Sequence, residues 1–336
     1  MMFTCGMIEK KDREYDNFII SHPYGHLFQS YAWGELKRFY GWQPIRLLIR
    51  DRSQIVAAVS LLNHQLFNNY SFLYAPRGPV MHFDQVQLLD FLLDKIAAIA
   101  KSTNAVFLKI DPALSKLASR PREKLVKSGF KQVWSGRPQK SLQLAEVYRI
   151  HLPYQNKSHI TLIKSMGKLN NLTVEHNTSM DKLKVFYALL LEYSELTDVK
   201  VRAFEYFQRL WMLMQEFGVH LFLVRQKNYV IGASLLVSFG STCYSVYTVY
   251  RQRHLGLYPE SFLHLAIMDW AAASGYKIYE IMDTLLTTKQ TSSDTRLFSF
   301  PIEPYTYLGE FDLIYRPYQY KIWNLLYPVY NWSVKN

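Results

Sequence analysis

Two stretches of this chain, 175 positions apart, are built alike: "IRLLIRDRSQIVAAVSLL" at 45–62 and "HLFLVRQKNYVIGASLLV" at 220–237. Each is an apolar strand ending in an arginine (Arg50, Arg225), a short polar turn and a second apolar strand. The likeness continues downstream. "YSFLYAP" (70–76) is a third strand, followed by a helix at about 84–101 with Leu88, Leu89, Leu92, Leu93, Ile96 and Ile99 at helical spacing, then the strand "AVFLKID" (105–111). The second copy runs through "CYSVYTVY" (243–250), the loop "RQRHLGLYP", a helix at about 259–274 with Pro259 in its first turn and Gly275 past its end, and the strand "KIYEIMD" (277–283). Asp111 and Asp283 close the copies 172 positions apart. Further helices are expected near 29–40, 179–195 and 203–217. The chain is therefore two copies of one β-β-β-α-β unit.

Strand, crossover helix, strand implies a partly parallel sheet with helices on its faces. That order resembles the Gcn5-related N-acyltransferase (GNAT) fold used twice, an α/β (α+β) class. A length of 336 residues fits two domains. In GNAT folds the pyrophosphate of acyl-CoA is held by a loop of the form R/Q-x-x-G-x-G/A at a helix start. Here "RHLGLY" (253–258) has Arg253 and Gly256, but Tyr258 stands where the second small residue belongs. In the first copy "PRGPVMHF" offers Pro79, which lacks a donor. A helix-entry turn is the plainer reading of both.

The net charge of +12, in a chain with only 20% charged residues, points to an anionic partner: nucleic acid, a nucleotide-linked substrate or an anionic membrane. Aromatics are plentiful, with 25 Tyr, 20 Phe and 7 Trp available for cores and ligand grooves. Cys5 and Cys243 form neither metal-ligand spacing nor a disulfide framework, so no metal is expected and a reducing cytosol suits the chain. The opening "MMFTCGMIEKKDREYD" lacks an apolar h-region, so no secretory signal is expected, and no run has the length of a membrane span.

Six segments in order resemble the Fem-type peptidoglycan bridge aminoacyltransferases. "QSYAWGELK" (29–37) is similar to a Gln-Ser-x-x-Trp-x-x-x-Lys opening, "YAPRGPV" (74–80) to Pro-Arg-Gly-Pro, and "LKIDP" (108–112) to Lys-x-Asp-Pro. "RAFEYF" (202–207) matches an Arg followed four residues later by Tyr. "GYKIYEIMD" (275–283) resembles Gly-Tyr-x-x-Tyr-Asp-Phe, and "YLGEFDLIY" (307–315) the ending Ile-Gly-Glu-Phe-Asp. The resemblance implies two GNAT-like domains: 1–150 plus about 305–336, binding the acceptor precursor, and 151–304, on the aminoacyl donor side. The final segment would return to the first domain. It also implies transfer of an amino acid from aminoacyl-tRNA to the stem peptide of UDP-MurNAc-pentapeptide or lipid II, in the cytoplasm, with no cofactor beyond the aminoacyl-tRNA co-substrate. The chain departs from the pattern where the family has Phe-Lys-x-x-Phe-Gly. It reads "RLFSFP" (296–301), and Arg296 is the neighbouring cation. The tRNA-synthetase-like coiled-coil arm of some members has no counterpart, so in length the chain looks like the armless FemX type.

Carried onto this sequence, the resemblance makes Lys37, Arg202, Tyr206, Tyr247 and Arg296 substrate-binding and Asp111 and Glu310 catalytic. Lys37 would meet phosphates of a nucleotide-linked acceptor; it otherwise reads as a solvated helix lysine beside Trp33. An Arg202 fork with the Tyr206 hydroxyl suits a pyrophosphate, against a capping arginine over a core tyrosine. Tyr247 and Tyr250, three apart, point to opposite faces of a regular strand, so at most one of them lines a groove; Tyr247 fits the family better, and the other reads as a core aromatic. His254 is read as a polar loop histidine. Asp111 ends its strand where such folds bind ligands. Glu310, on one strand face with Asp312, would look into the acceptor groove, whereas Asp312 reads as a surface or hinge salt bridge.

The donor ester is already activated, so no ATP or metal is required. A lysine-type amine, with pKa about 10.4, is mostly protonated at neutral pH, and Asp111 or Glu310 would position it and accept its proton. Proton relay through the tRNA ribose hydroxyl is the alternative. The tail "YKIWNLLYPVYNWSVK" (320–335) mixes aromatics with lysines and reads either as a membrane-interface segment or as a helix docked on the first domain. Two rival functions stand beside this one: an acyl-CoA-dependent N-acyltransferase, and a non-catalytic precursor-binding protein.

Overall fold

The computed structural model describes residues 2–133, 142–197, 199–282 and 304–334. The chain divides into two compact units, Met1–Ala145 with Thr306–Asn336, and Glu146–Tyr305.

The first unit runs β1 (Phe3–Met7), α1 (Arg13–Ser21), α2 (Tyr31–Arg38), β2 (Trp42–Asp51), β3 (Gln54–Gln65), β4 (Ser71–Ala75), β5 (Val80–Met81), α3 (Val86–Ser102), β6 (Ala105–Ile110), α4 (Ser119–Lys127) and β7 (Lys131–Val133). The chain comes back from the second unit to add β15 (Glu310–Ile314) and α9 (Pro317–Val334). Its sheet has the order β1-β2-β3-β4-β6-β15-β7, with β5 beside β3. β4 and β6 are parallel, because α3 carries the chain back over the sheet between them. The α3 residues Leu88, Leu89, Leu92 and Ile96 are buried against Leu61, Leu73, Leu108 and Phe311. Leu93 and Ile99, off the centre of that stripe, are only partly buried.

The second unit comprises β8 (Glu146–His151), α5 (Lys157–Leu169), β9 (Leu172–Asn177), α6 (Leu183–Thr197), α7 (Phe204–Met214), β10 (Val219–Gln226), β11 (Tyr229–Phe239), β12 (Thr242–Tyr250), α8 (Pro259–Ala273), β13 (Ile278–Ile281) and β14 (Tyr305–Thr306). The order is β14-β8-β13-β12-β11-β10-β9, again with one parallel junction, β12 to β13. β8 lies antiparallel to β13 as β15 lies antiparallel to β6. Each sheet thus flanks its crossover strand with one from outside the repeated segment.

The repeat is real at atomic detail. Each hairpin carries a register shift immediately before its arginine, between Ile49 and Arg50 and between Val224 and Arg225. Each turn then opens with a left-handed residue, Arg52 at φ 55° and Lys227 at φ 52°. Arg50 donates to the Ser53 carbonyl (3.3 Å) and pairs with Glu14, while Arg225 donates to the Asn228 carbonyl (3.2 Å) and pairs with Glu175. Both arginines brace their own turns. Their recurrence is a matter of hairpin geometry rather than of ligand binding.

Candidate functional site

Four of the segments quoted above meet at the carboxyl ends of β4 and β6. Gln29 lies buried and spans two strands. Its amide donates to the carbonyls of Pro76 (2.7 Å) and Ser60 (3.2 Å), and its Oε1 accepts from Ser60 N–H. A side chain at Gly78 would run into that amide, its Cβ falling 2.5 Å from the Gln29 Cδ, so the Pro-Arg-Gly-Pro turn needs its glycine. Ser30 caps α2 through Trp33 N–H (3.1 Å), Trp33 stacks on Phe28 at 4.2 Å, and the Lys37 ammonium stands 4.7 Å from the Trp33 ring. The opening motif is thus a clamp, a cap, a stacking face and a cation held on that face.

The turn so clamped holds Arg77 at φ 54°. Its N–H donates to Asp111 Oδ1 (2.6 Å), and its guanidinium lies 3.3 Å from Asp111 Oδ2. The guanidinium also donates to the Leu144 carbonyl (2.6 Å) and sits 3.6 Å over the Tyr307 ring. One residue pair away, Lys109 of β6 faces Asp312 of β15 in the ladder. Its ammonium reaches Asp312 (2.8 Å) and, diagonally, Glu310 (3.0 Å). Glu310 also accepts from Leu142 N–H (2.8 Å), and Asp312 from the Tyr320 hydroxyl of α9 (2.7 Å). Phe311, between the two acids, points the other way into the core.

Lys109, Asp111, Glu310 and Asp312 are all at 7% exposure or less. Two expectations are corrected here. Asp312 forms a buried ion pair, not a surface or hinge one. Glu310 does not open onto a groove: its carboxylate is enclosed and engaged by Lys109. The cluster holds two cations, Arg77 and Lys109, and three carboxyl groups. Burying net charge is costly, so the group of five is neutral when one acid keeps a proton. Burial raises both Asp111 and Asp312; Lys109 and the Tyr320 hydroxyl hold Asp312 back, and Asp111 is the acid carried to neutrality. Burial pushes its pKa from 3.8 up to about 7; Arg77 opposes this and Glu310 adds to it. The 3.3 Å contact with Arg77 would by itself suggest an ordinary carboxylate, but that guanidinium also serves the Leu144 carbonyl and the Tyr307 ring, and desolvation prevails. The Tyr74 hydroxyl is itself raised, by burial first and then by Asp111 and Glu310. Lys109 is raised as well: burial lowers it, but Asp312 and Glu310 outweigh burial. A buried carboxyl that gains and loses a proton near neutrality, at the end of a parallel strand, is equipped for acid–base work.

The second unit assembles three other candidates. Arg202, exposed just before α7, places its guanidinium 5.3 Å from the Tyr206 ring. Tyr206 meets the edge of Tyr247 at 6.2 Å, and Phe207 does so at 5.1 Å. β12 shifts register beside Leu235 and Leu236, just ahead of Tyr247. Tyr250 faces the other side and is buried; its hydroxyl contacts His264 Nε2 (3.3 Å), whose Nδ1 contacts the Tyr279 hydroxyl (2.7 Å). The two tyrosines divide between faces as their spacing predicts. The arrangement offers an exposed cation on an aromatic platform, with half-buried Tyr247 beside it, which is chemistry suited to a phosphate-bearing ligand.

The "RHLGLY" loop forms one short 3-10 helix over 252–257 and enters α8 through Tyr258 at φ 56°. Arg253 there donates to the Tyr229 hydroxyl (2.7 Å). His254 is lowered, first by burial and then by Arg253 and Arg251. Arg296 and Asp283 lie outside the described residues. Among the described residues no group of three or more His, Cys, Asp or Glu could hold a metal, and no helix is long and apolar enough to cross a membrane.

Sequence reading gave no role to Lys109, Arg77, Tyr74 or Tyr320. The one signal available was that Lys109 sits inside a quoted motif, two before Asp111. The second unit holds a counterpart. Glu280 of β13 pairs with Arg149 of β8 at 2.6 Å, and Arg149 covers the Tyr305 ring at 4.0 Å. In the parallel ladders Lys109 sits opposite Tyr74 and Glu280 opposite Tyr244. The repeat thus conserves a buried ion pair but exchanges its signs.

Residues 10–136 match the FemAB family, and residues 161–285 match the Acetyltransferase (GNAT) domain. The chain is 23% identical over 329 residues to UDP-N-acetylmuramoylpentapeptide-lysine N(6)-alanyltransferase of Weissella viridescens, covering 91% of this chain and 94% of that protein. It is 26% identical over 226 residues to Lipid II:glycine glycyltransferase of Staphylococcus aureus; that match takes in 64% of this chain and 53% of the relative. Among solved structures it superposes on FemX with a TM-score of 0.82 at 20% identity, over 94% of this chain and 99% of that one. A tandem GNAT protein from the clavulanic acid biosynthesis pathway matches with a TM-score of 0.54 at 10% identity, over 93% and 98%. These two likenesses establish the fold, two GNAT-like units in tandem.

Proposed function

We propose, on the premise that this chain belongs to the Fem-type family of peptidoglycan bridge aminoacyltransferases, that it transfers an amino acid from aminoacyl-tRNA to the stem peptide of a cell-wall precursor. The observation that carries the reading is convergence. The family-like segments at 29–37, 74–80, 108–112 and 307–315 are dispersed in sequence, yet they interlock around one proton-holding carboxyl, Asp111.

In the reaction the acceptor amine attacks the ester carbonyl. The new C–N bond forms, the ester C–O bond breaks, and the tRNA ribose leaves with a proton on its hydroxyl. The amine arrives as an ammonium with pKa about 10.4 and must shed a proton first. Asp111, ionised above about pH 7, takes that proton, with the Tyr74 hydroxyl near it and Glu310 helping to raise it. In the first unit Lys37, beside its aromatic support, offers a cation to the acceptor's phosphates; in the second, Arg202, Tyr206 and Tyr247 offer a guanidinium and hydroxyls to a phosphate-bearing substrate. Arg296 is proposed as a further contact to the substrate. Holding ester and amine in line supplies much of the rate. No metal or cofactor is required beyond the co-substrate. The acceptor is UDP-MurNAc-pentapeptide or lipid II, and the protein works in the cytoplasm at the inner face of the membrane. The proposed division of labour places the acceptor with residues 1–150 and about 305–336, and the donor with 151–304.

A second reading, an acyl-CoA-dependent N-acyltransferase, is favoured by the match of residues 161–285 to the GNAT domain. One experiment separates the two. The protein is incubated with total aminoacyl-tRNA or with acyl-CoA, plus the soluble and the lipid-linked precursor, and products are identified by mass spectrometry. A precursor heavier by one aminoacyl residue, formed only with charged tRNA, is the expected result. Acylation from CoA with no effect of tRNA reverses the assignment, and precursor binding without turnover would mark a non-catalytic protein.

A further inference from the structure

The tail helix α9 has two faces with different fates. Its inner face is fixed to the first unit. Trp323 is buried and stacks on Phe72 at 5.8 Å, and Tyr320 meets Phe107 edge-on at 5.2 Å while its hydroxyl holds Asp312. The rotation of the helix about its axis is therefore set. Its outer face has no such cover among the described residues: Tyr318 is 72% exposed, Leu325 79% and Leu326 45%. Tyr318, Lys321 and Leu325 follow helical spacing, so aromatic, cation and aliphatic groups form one outward stripe. Neither Asp nor Glu occurs from residue 313 to the end at 336, where the charged residues are Arg316, Lys321 and Lys335.

We infer that the outer face of α9 docks the first unit onto a bilayer surface bearing anionic phospholipid. Two leucines and a tyrosine with the exposed Lys321 in the same stripe, and no acid in the sequence from residue 313 on, match the boundary between acyl chains and negative headgroups. Lysine suits that boundary because its stem lies along apolar surface while the ammonium reaches the headgroups. The same composition disfavours a second copy as the occupant, since two such faces would bring like charges together. No described helix is apolar enough to span the bilayer, so the contact is peripheral. The inference adds to the proposed function in one respect, and rests on it there: a protein held on the bilayer meets a lipid-linked acceptor by diffusion in two dimensions.

The test is vesicle flotation of the full chain with phosphatidylglycerol–phosphatidylcholine vesicles and with phosphatidylcholine alone. The unaltered protein is expected to float with the anionic vesicles, and less so as salt rises. The double variant Leu325→Glu/Leu326→Glu should lose at least about fivefold of that binding. Lys321→Glu, which leaves the apolar groups in place, should weaken it as well. All three residues are exposed, so both variants should melt with the parent protein. Transfer to the soluble UDP-linked precursor should stay at the parental rate in both. A parent protein that stays at the bottom of the gradient, or a double variant that floats as well as the parent, overturns the inference. Self-association that the double variant abolishes, without flotation, overturns it in favour of a second copy. Flotation requires no turnover, so an absent transferase activity with intact flotation would fall on the proposed function alone.

Discussion

Asp111 is the residue on which the acid–base reading turns, and its environment makes a signed prediction. Its pKa is raised from 3.8 to about 7 in the folded chain. Between those values the folded state binds more protons than the unfolded one, so its contribution to stability is complete below about pH 4 and is lost as pH rises toward 7. Denaturant titrations across that window should show this slope in the parent protein and a shallower one in Asp111→Asn, the remainder coming from Glu260, which burial also raises to about 7. A variant whose slope equals the parent's would place the cluster's proton elsewhere. Lys109 supplies the second prediction. Replacing it by Met leaves Glu310 and Asp312 buried together without their cation and should cost about 3–5 kcal/mol, read from the shift in denaturation midpoint; a loss under about 1 kcal/mol would mean the acids find other partners. The sequence showed the carboxylates but not this lysine's use. The contact joins residues 201 positions apart, and a lysine in a strand carries no mark of the strand that will lie beside it. Arg77 was hidden in the same way, since its part depends on a turn conformation and on Tyr307, far along the chain.

At the scale of elements, what the sequence displayed were the long apolar strands and the helices with a clear stripe. The two hairpins, α3, α8 and the parallel junctions follow from local periodicity and from turns that the chain repeats. The pieces it concealed are short or poorly patterned: β7 spans Lys131–Val133, and α4 has a single buried residue, Leu125. Such elements are held by neighbours rather than by their own pattern. α2 is a middle case. Its motif is visible, but the reason for its glycine is not. A Cβ at Gly34 would stand 2.4 Å from the buried Arg46 guanidinium, which pairs with Glu35 at 2.8 Å and bonds the Tyr31 carbonyl at 2.9 Å. Gly34→Ala should therefore destabilise by about 1–3 kcal/mol, despite alanine's better helix propensity. Thermal melting checks this, and a stabilised variant would show that Arg46 has room to move. For α9, Trp323→Ala should cost about 3–5 kcal/mol through lost core packing, measurable by the same melt; an unchanged melting temperature would mean that the helix is not anchored there.

For the molecule as a whole, the +12 charge and the proposed tRNA donor together predict that transfer falls steeply with ionic strength, because phosphate contacts release counterions. Rates measured from low to moderate salt should drop by about tenfold or more, and a flat profile would count against a nucleic-acid donor. The division into units makes another prediction. β15 lies between β6 and β7, so a chain ended at residue 304 leaves the first sheet without an interior strand while the second keeps β8–β13. In that shortened chain, amide exchange should be fast in β6 and slow in β10–β12; equal protection in both would mean that the first unit does not depend on its returning strand. The order in which a ribosome delivers these pieces follows directly. Nearly the whole of the second unit emerges before β15 is made, so it is free to fold while the first waits with β6 unpaired on one side. A nascent chain stalled near its end would carry one finished half and one unfinished, and quality-control proteases would meet the amino-terminal half first as their substrate.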